Sequence, residues 1–217
     1  MEISEIMKQR HSVRQYIAQP IEPEKRAVLN SLVSEIDQKS GLHIQIVYDE
    51  PKCFDSFMAH YGKFSGVQNY IALVGKKSPN LEETLGYYGE ELVLKAQELG
   101  LNTCWVAMTH GKSKAVIGSG EKLACLISLG YGATQGAAHK SKPMQELCNY
   151  SEQMPAWFLN GMSAAMLAPT AMNQQKFRFE LLPDESVKAT CGSGFYTKLD
   201  LGIVKYHFEA VSGKKVV

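Results

Sequence analysis

The stretch from Leu81 to Leu99 limits the fold more than any other. Leu85, Tyr88, Leu92, Ala96 and Leu99 recur at helical spacing, and Asn80 stands where a cap is needed. Glu82 and Glu83 suit the positive end of the helix dipole, and Gly100 stops the pattern. Gly86 and Gly89 lie inside it, each costing about 1 kcal/mol relative to alanine. That cost implies either a close approach by another part of the chain or an irregular start to the helix. The paired acids Glu82-Glu83 and Glu90-Glu91 read as its solvated face.

Strands are predicted on both sides of this helix. Residues 42–48 alternate and are rich in β-formers, 70–74 form a short apolar run ended by Gly75, and 103–108 and 123–129 follow. Further helices are predicted over 2–9, from Pro23 through Ile36, over 155–167 and over 197–210, whereas 51–68 has no clean period. A helix, a break and a strand occur in that order twice. They span 24–48 and then 155–182, where Phe177, Phe179 and Leu181 alternate with Arg178 and Glu180. No long linker or low-complexity segment intervenes. The expectation is one α+β domain over residues 1–217: a central mixed or antiparallel sheet flanked by helices, with an internal helix-strand repeat.

The 217 residues are 45% hydrophobic and 21% charged, with net charge +1, enough apolar material for a core and no excess charge. That balance argues against a nucleic-acid or anionic-membrane surface, and no aromatic residues interleave with the basic clusters. Cysteines 53, 104, 125, 148 and 191 are spread out with no C-x-x-C, which suits free thiols in a reducing compartment. Cys104 sits in an apolar run and reads as core. The start of the chain lacks a signal-peptide pattern, and no apolar run approaches a membrane span. The expected location is cytoplasmic.

Three segments carry chemistry. Arg10-His11-Ser12-Val13-Arg14 sets two guanidinium groups, an imidazole and a hydroxyl together, with no acid between Glu5 and Glu22. Guanidinium is a planar, permanently charged fork suited to phosphate. A second basic cluster, Lys140 and Lys142, lies in the loop from Gly130 to Pro143 and is a candidate to converge on the same phosphate. Ala168-Pro169-Thr170-Ala171-Met172-Asn173 is a proline-initiated turn. With Gln175 it offers neutral donors and acceptors around an apolar Met172, suited to the rim of a planar heteroaromatic ring. Each has a plainer reading, as solvated loop or turn cap. The six histidines show no metal-ligand spacing, and no nucleophile elbow, Walker loop or dinucleotide fingerprint is present.

Taken together, these segments resemble the flavin-dependent nitroreductases. Arg10 to Tyr16 is similar to that family's R-[RH]-S-x-R-x-[FY] opening, and Ala168 to Phe179 to its A-P-S-x-x-N-x-Q-P-W-x-F segment. Gly89 to Val106 resembles its central helix and following C-W. Leu129-Gly130-Tyr131-Gly132 with Pro143 to Leu147 resembles its L-G-Y-P…K-P-L-E-E-L close. The resemblance implies FMN held non-covalently and NAD(P)H as donor. Hydride would pass to flavin N5 and on to a nitro-aromatic, quinone or similar small-molecule acceptor in a ping-pong cycle. Arg10, His11, Ser12, Arg14, Lys140 and Lys142 would lie at the phosphate, ribityl chain and ring. Pro169, Thr170, Ala171, Met172 and Asn173 would lie on the other side. No catalytic side chain and no metal is implied; Gly86 to Gly89 are candidates for approach to N5.

Two departures matter. The A-P-S-x-x-N segment follows the opening arginines closely in the family; here that slot, Lys39 to Leu42, lacks it, and the segment appears only after residue 167. Lys176 also stands where the family prefers proline. A smaller rearranged subgroup of nitroreductases matches this order best. Family members are commonly homodimers whose partner supplies that turn, so the repeat at 155–182 predicts a pseudo-dimeric monomer whose segment 150–217 completes the flavin site. The alternatives are an ordinary homodimer with a C-terminal extension and, for function, a catalytically degenerate flavin-binding or cofactor-free interaction protein on the same scaffold.

Overall fold

The computed structural model describes residues 1–217. Thirteen elements follow in order: α1 (Ile3–Gln9), α2 (Pro23–Ser40), β1 (Gln45–Val47), α3 (Phe57–Tyr61), β2 (Asn69–Lys76), α4 (Leu81–Glu98), β3 (Asn102–Val106), β4 (Glu121–Gly130), α5 (Met144–Leu147), α6 (Ala156–Ala165), β5 (Phe177–Leu181), β6 (Val187–Cys191) and α7 (Thr197–Ser212). The chain is α+β, as its pattern predicts. It gathers into two compact units. A sheet unit holds residues 10–81 and 92–137, and a hairpin unit holds 1–9, 82–91 and 138–217. No helix is long and apolar enough to cross a membrane.

The sheet unit is built on four antiparallel strands in the order β1-β2-β4-β3. Ile46 lies opposite Ile71, Ile71 opposite Ile127, and Cys104 opposite Ser128, with a bulge between Leu73 and Val74. From Asn69 to Gly75 every residue of β2 is buried, which is why this strand reads as an unbroken apolar run rather than an alternation. One core cluster joins Phe54, Phe64 and Tyr70 to Val13, Tyr16 and Cys104. Helix α2 is tied beside β1 by the paired Arg26–Asp49 contacts at 2.8 and 3.0 Å and by the Asp37 carboxylate, which accepts from the Ile44 N–H at 3.0 Å. That side-chain bond takes the Ile44 donor, and the strand expected from residue 42 begins only at Gln45.

The hairpin unit packs α6 against α7, and α7 against the antiparallel pair β5–β6, in which Phe179 lies opposite Ala189. Phe179 stacks on Phe208 of α7 at 4.8 Å, and Phe158 of α6 meets the same ring edge-on at 5.5 Å. The helix-break-strand order therefore occurs twice, as α2–β1 and α6–β5. The second strand has its own partner, β6, which the sequence reading missed: Val187, Ala189 and Cys191 are small and give a weak alternation signal. The short α3 and α5 were likewise not anticipated.

Helix α4 corrects two expectations and decides a third. Asn80 holds the capping position, but its backbone is already helical (φ −101°, ψ −1°) and its side chain makes no capping bond. The helix is regular through Gly86, whose glycine is explained by close approach: a Cβ there would sit 2.0 Å from the Leu199 carbonyl of α7. Glu90 is not on a solvated face. It is fully buried, with its Oε1 2.9 Å from His207 Nε2.

Candidate functional site

The opening arginine run is an extended segment stitched into the sheet unit. Val13 N–H donates to the Thr103 carbonyl of β3 at 3.0 Å, Ser65 N–H to the Arg14 carbonyl at 3.0 Å, and Tyr16 N–H to the Ser65 carbonyl at 2.9 Å. On its other side Ala133 N–H donates to the Gln15 carbonyl at 2.8 Å, and Ile17 N–H to the Tyr131 carbonyl at 2.9 Å. Two glycines let the backbone pass closely: a Cβ on Gly66 would lie 2.2 Å from the Tyr16 carbonyl, and one on Gly136 would lie 2.8 Å from His11 Cβ. Inward-facing Tyr16 pins the run, donating to the Val13 carbonyl at 2.8 Å or sharing its proton with Ser128 Oγ at 2.8 Å. Its burial pushes the phenol well above its ordinary value.

The charged groups of this run differ in exposure. Arg10 is only 3% exposed, Arg14 is exposed with its guanidinium 5.9 Å from the Phe64 ring centre, and His11 and Ser12 are half-buried. Both guanidinium groups and the Ser12 hydroxyl act on the buried Cys104 thiol. Burial raises that thiol, while Arg14, Ser12 and Arg10 in that order pull it down. Cys104 is therefore a core thiol lying in a positive field. The field and its donors come from forks that bind anions, so the residues present fit a phosphate.

The hairpin unit holds the turn. Ala168 is buried; Pro169, Thr170 and Ala171 are half-buried; Met172 is 94% exposed and Asn173 is exposed. Met172, Asn173 and Gln175 all have positive φ, at 53°, 53° and 47°. For residues with a Cβ each such conformation costs on the order of 1 kcal/mol or more, and it persists only where the surroundings impose it. They do so through side-chain amides. Gln175 Nε2 donates to the Lys140 carbonyl (3.0 Å) and to Asn173 Oδ1 (3.0 Å), and its Oε1 accepts from Lys142 N–H (2.8 Å). Asn173 Nδ2 also donates to the Lys140 carbonyl, at 2.9 Å, and Lys142 Nζ reaches the Gln175 carbonyl at 3.4 Å. Thus Lys140, Lys142 and Asn173 are brought together, with Gln175 as their hub.

Asp200, in the first turn of α7, fixes the same turn from below and was missed by sequence reasoning. Its Oδ1 accepts the Ala171 N–H at 2.9 Å and its Oδ2 accepts from Gln174 Nε2 at 2.8 Å. In sequence it looks like any acid favoured near a helix N-terminus. Burial pushes its pKa from 3.8 up to about 6, against the opposing pull of those two donors. The sign is clear. An acid whose pKa is raised in the folded state contributes stability below its unfolded value, and that contribution is lost as pH rises through about 6. A rise of this size corresponds to about 3 kcal/mol. Denaturant unfolding at pH 4.5 and pH 8 should show wild type losing stability relative to Asp200→Asn as pH rises; equal slopes would refute the assignment.

The sequence model of a family described as "Putative TM nitroreductase" matches residues 2–212. Among solved structures, a Thermotoga maritima protein described as a putative nitroreductase superposes with a TM-score of 0.72 at 21% identity, covering 97% of this chain and 83% of that one. A Desulfovibrio desulfuricans protein, described as a putative nitroreductase in complex with FMN, gives 0.55 at 15% identity, over 71% of this chain and 99% of that one. A "Putative NADH dehydrogenase/NAD(P)H nitroreductase" of Bacteroides thetaiotaomicron gives 0.53 at 19% identity, over 70% and 98%. At such identities the likeness to these structures is one of fold. No curated protein matches the chain. The family model spans nearly all of the sequence, and the antiparallel sheet with its helices is the fold those structures share: the chain belongs to the nitroreductase family of oxidoreductases.

Proposed function

We propose that this protein is an FMN-dependent NAD(P)H oxidoreductase that reduces nitro-aromatic, quinone or similar acceptors in a ping-pong cycle. The observation that carries this reading is the extended segment Arg10–Arg14, pinned in the sheet unit by bonds to Thr103 and Ser65, which sets two guanidinium groups and a hydroxyl within five residues, a set suited to a phosphate monoester. The FMN bound by the Desulfovibrio desulfuricans relative supports the choice of cofactor. Arg10, Ser12 and Arg14 of the sheet unit are the groups assigned to the phosphate and ribityl chain, with His11 assigned to the ring, and Lys140 and Lys142 of the hairpin unit are assigned as anion ligands of their own. Pro169, Thr170, Ala171, Met172 and Asn173 contact the cofactor from the turn.

Bound FMN supplies the hydride chemistry. The chain's own residues supply placement. The buried Arg10 guanidinium cannot be neutralised at any working pH and so keeps an anion in register. The strained 171–175 turn is held before any ligand arrives, which lowers the ordering cost of binding. No side-chain acid or base is assigned a catalytic role. Gly86 is occupied by the approach of Leu199, so the reading assigns it no part in the chemistry.

We further propose that the α6–β5 repeat lets one chain supply what a partner subunit supplies in a dimer, so that segment 150–217 completes the site within a single-domain monomer working in the cytoplasm. Freshly purified protein should be yellow, release FMN on denaturation, oxidise NADH or NADPH with a nitro-aromatic or quinone acceptor, and sediment as a monomer. Protein that takes up FMN but is reduced by neither nicotinamide would instead be a degenerate flavin binder.

A further inference from the structure

A cavity lies wholly within the hairpin unit, where the chain folds back after α7. Gly213, with φ of 68°, ends that helix and donates its N–H to the Glu209 carbonyl at 3.0 Å. The tail that follows is fastened at three points. Lys214 N–H donates to Ser212 Oγ at 3.1 Å, Val216 N–H to Glu209 Oε1 at 3.0 Å, and Val217 N–H to the Val187 carbonyl of β6 at 2.8 Å. Between this tail, the last turns of α7 and Tyr87 of α4 is a space of about 230 Å³. Drug-sized ligands occupy roughly 300–1,000 Å³, so a smaller molecule suits it.

Its lining is aromatic and cationic. The Tyr87 and Tyr206 rings meet at 79° with centres 5.1 Å apart, and Ala210 lies with them. The one acid, Glu209, is already committed: its Oε2 accepts from the Tyr87 hydroxyl at 2.8 Å and from Lys215 Nζ at 2.6 Å, and its side chain is only 9% exposed. Lys214 is not committed. Its Nζ lies 5.3 Å from the centre of the Trp157 ring, with no carboxylate beside it. Two lysines thus stand against one neutralised glutamate, and the capacity left over is that of a cation. An anion answers the free ammonium, and a flat ring packs on the tyrosines. We propose that this cavity binds a small aromatic carboxylate, with its ring against Tyr87 and Tyr206 and its carboxylate on Lys214. No lining residue is among those assigned to FMN, so this site and the flavin reading are tested separately.

Calorimetric titration of the full-length protein with benzoate tests it. Wild type should bind one benzoate per chain. Benzamide, which keeps the ring and the shape but not the charge, should bind about tenfold more weakly or worse. Lys214→Met should weaken benzoate by about tenfold, as expected for loss of a charge-assisted bond, while Lys214→Arg stays within about threefold of wild type. Ala210→Trp, which puts a large side chain into the lining, should abolish binding. Both positions are exposed, so thermal unfolding should change little in any of the variants. The proposal is overturned if wild type shows no saturable binding of benzoate, or if either Lys214→Met or Ala210→Trp leaves the affinity unchanged. Binding that Arg10→Ala removes and Lys214→Met leaves intact would overturn it too, by placing the probe at the opening arginines.

Discussion

Replacing His207 with phenylalanine should destabilise the fold by about 3–5 kcal/mol, the range found when one partner of a buried ion pair is removed. His207 and Glu90 are both fully buried, and the imidazole lies between two acceptors: the Ala164 carbonyl is 3.0 Å from Nδ1 and Glu90 Oε1 is 2.9 Å from Nε2. A carbonyl can only accept, so Nδ1 donates to it. Nε2 then faces Oε1, so that the two side chains form one buried hydrogen-bonded pair. The phenyl ring fills the space but leaves the buried carboxylate without its imidazole. Changing Glu90 to Gln in the same background should return much of the loss, because the residue left buried is then neutral. Denaturant unfolding of the single and double variants measures both effects. A loss under about 1 kcal/mol in His207→Phe would show that the pair does not hold α4, α6 and α7 together.

The second large effect is expected where α4 and α7 cross. Gly86 and Gly202 are reciprocal: a Cβ on Gly86 would lie 2.0 Å from the Leu199 carbonyl, and one on Gly202 would lie 1.9 Å from the Glu83 carbonyl and 2.6 Å from Tyr87 N. The obstructing atoms are backbone, so no rotamer change relieves them and the helices must separate. Overpacking of this kind costs at least the upper part of the usual 1–3 kcal/mol range. The roughly 1 kcal/mol gained in helix propensity from glycine to alanine offsets only part of it. Gly86→Ala and Gly202→Ala should each lower the thermal midpoint by several degrees. A rise in the midpoint of either would mean that the helices are not in contact there.

Gly86 shows what a sequence can disclose about such a crossing. A glycine in a strong helical pattern announces that something comes close, and periodicity alone located α4, α7 and the buried β2. Neither signal names the partner. Glu90 was misread as a solvated acid because its counterpart, His207, lies 117 residues away, and no local pattern distinguishes a paired buried carboxylate from an exposed one. The same limit hid Asp200. Its hydrogen bonds reach back to Ala171 and Gln174, whereas in sequence it is one acid at the start of a helix. The basic run at residues 10–14 and the polar turn at 168–175 were legible because each gathers its chemistry within a few residues.

On this reading the opening arginines grip the phosphate of one FMN. Titrating FMN into the apoprotein, with flavin fluorescence as the readout, tests it for wild type, Arg10→Ala and Arg14→Ala. Wild type should bind one FMN per chain, and each variant should lose about 1–3 kcal/mol in affinity. Failure of wild type to bind FMN, or affinities in both variants equal to wild type, would contradict it.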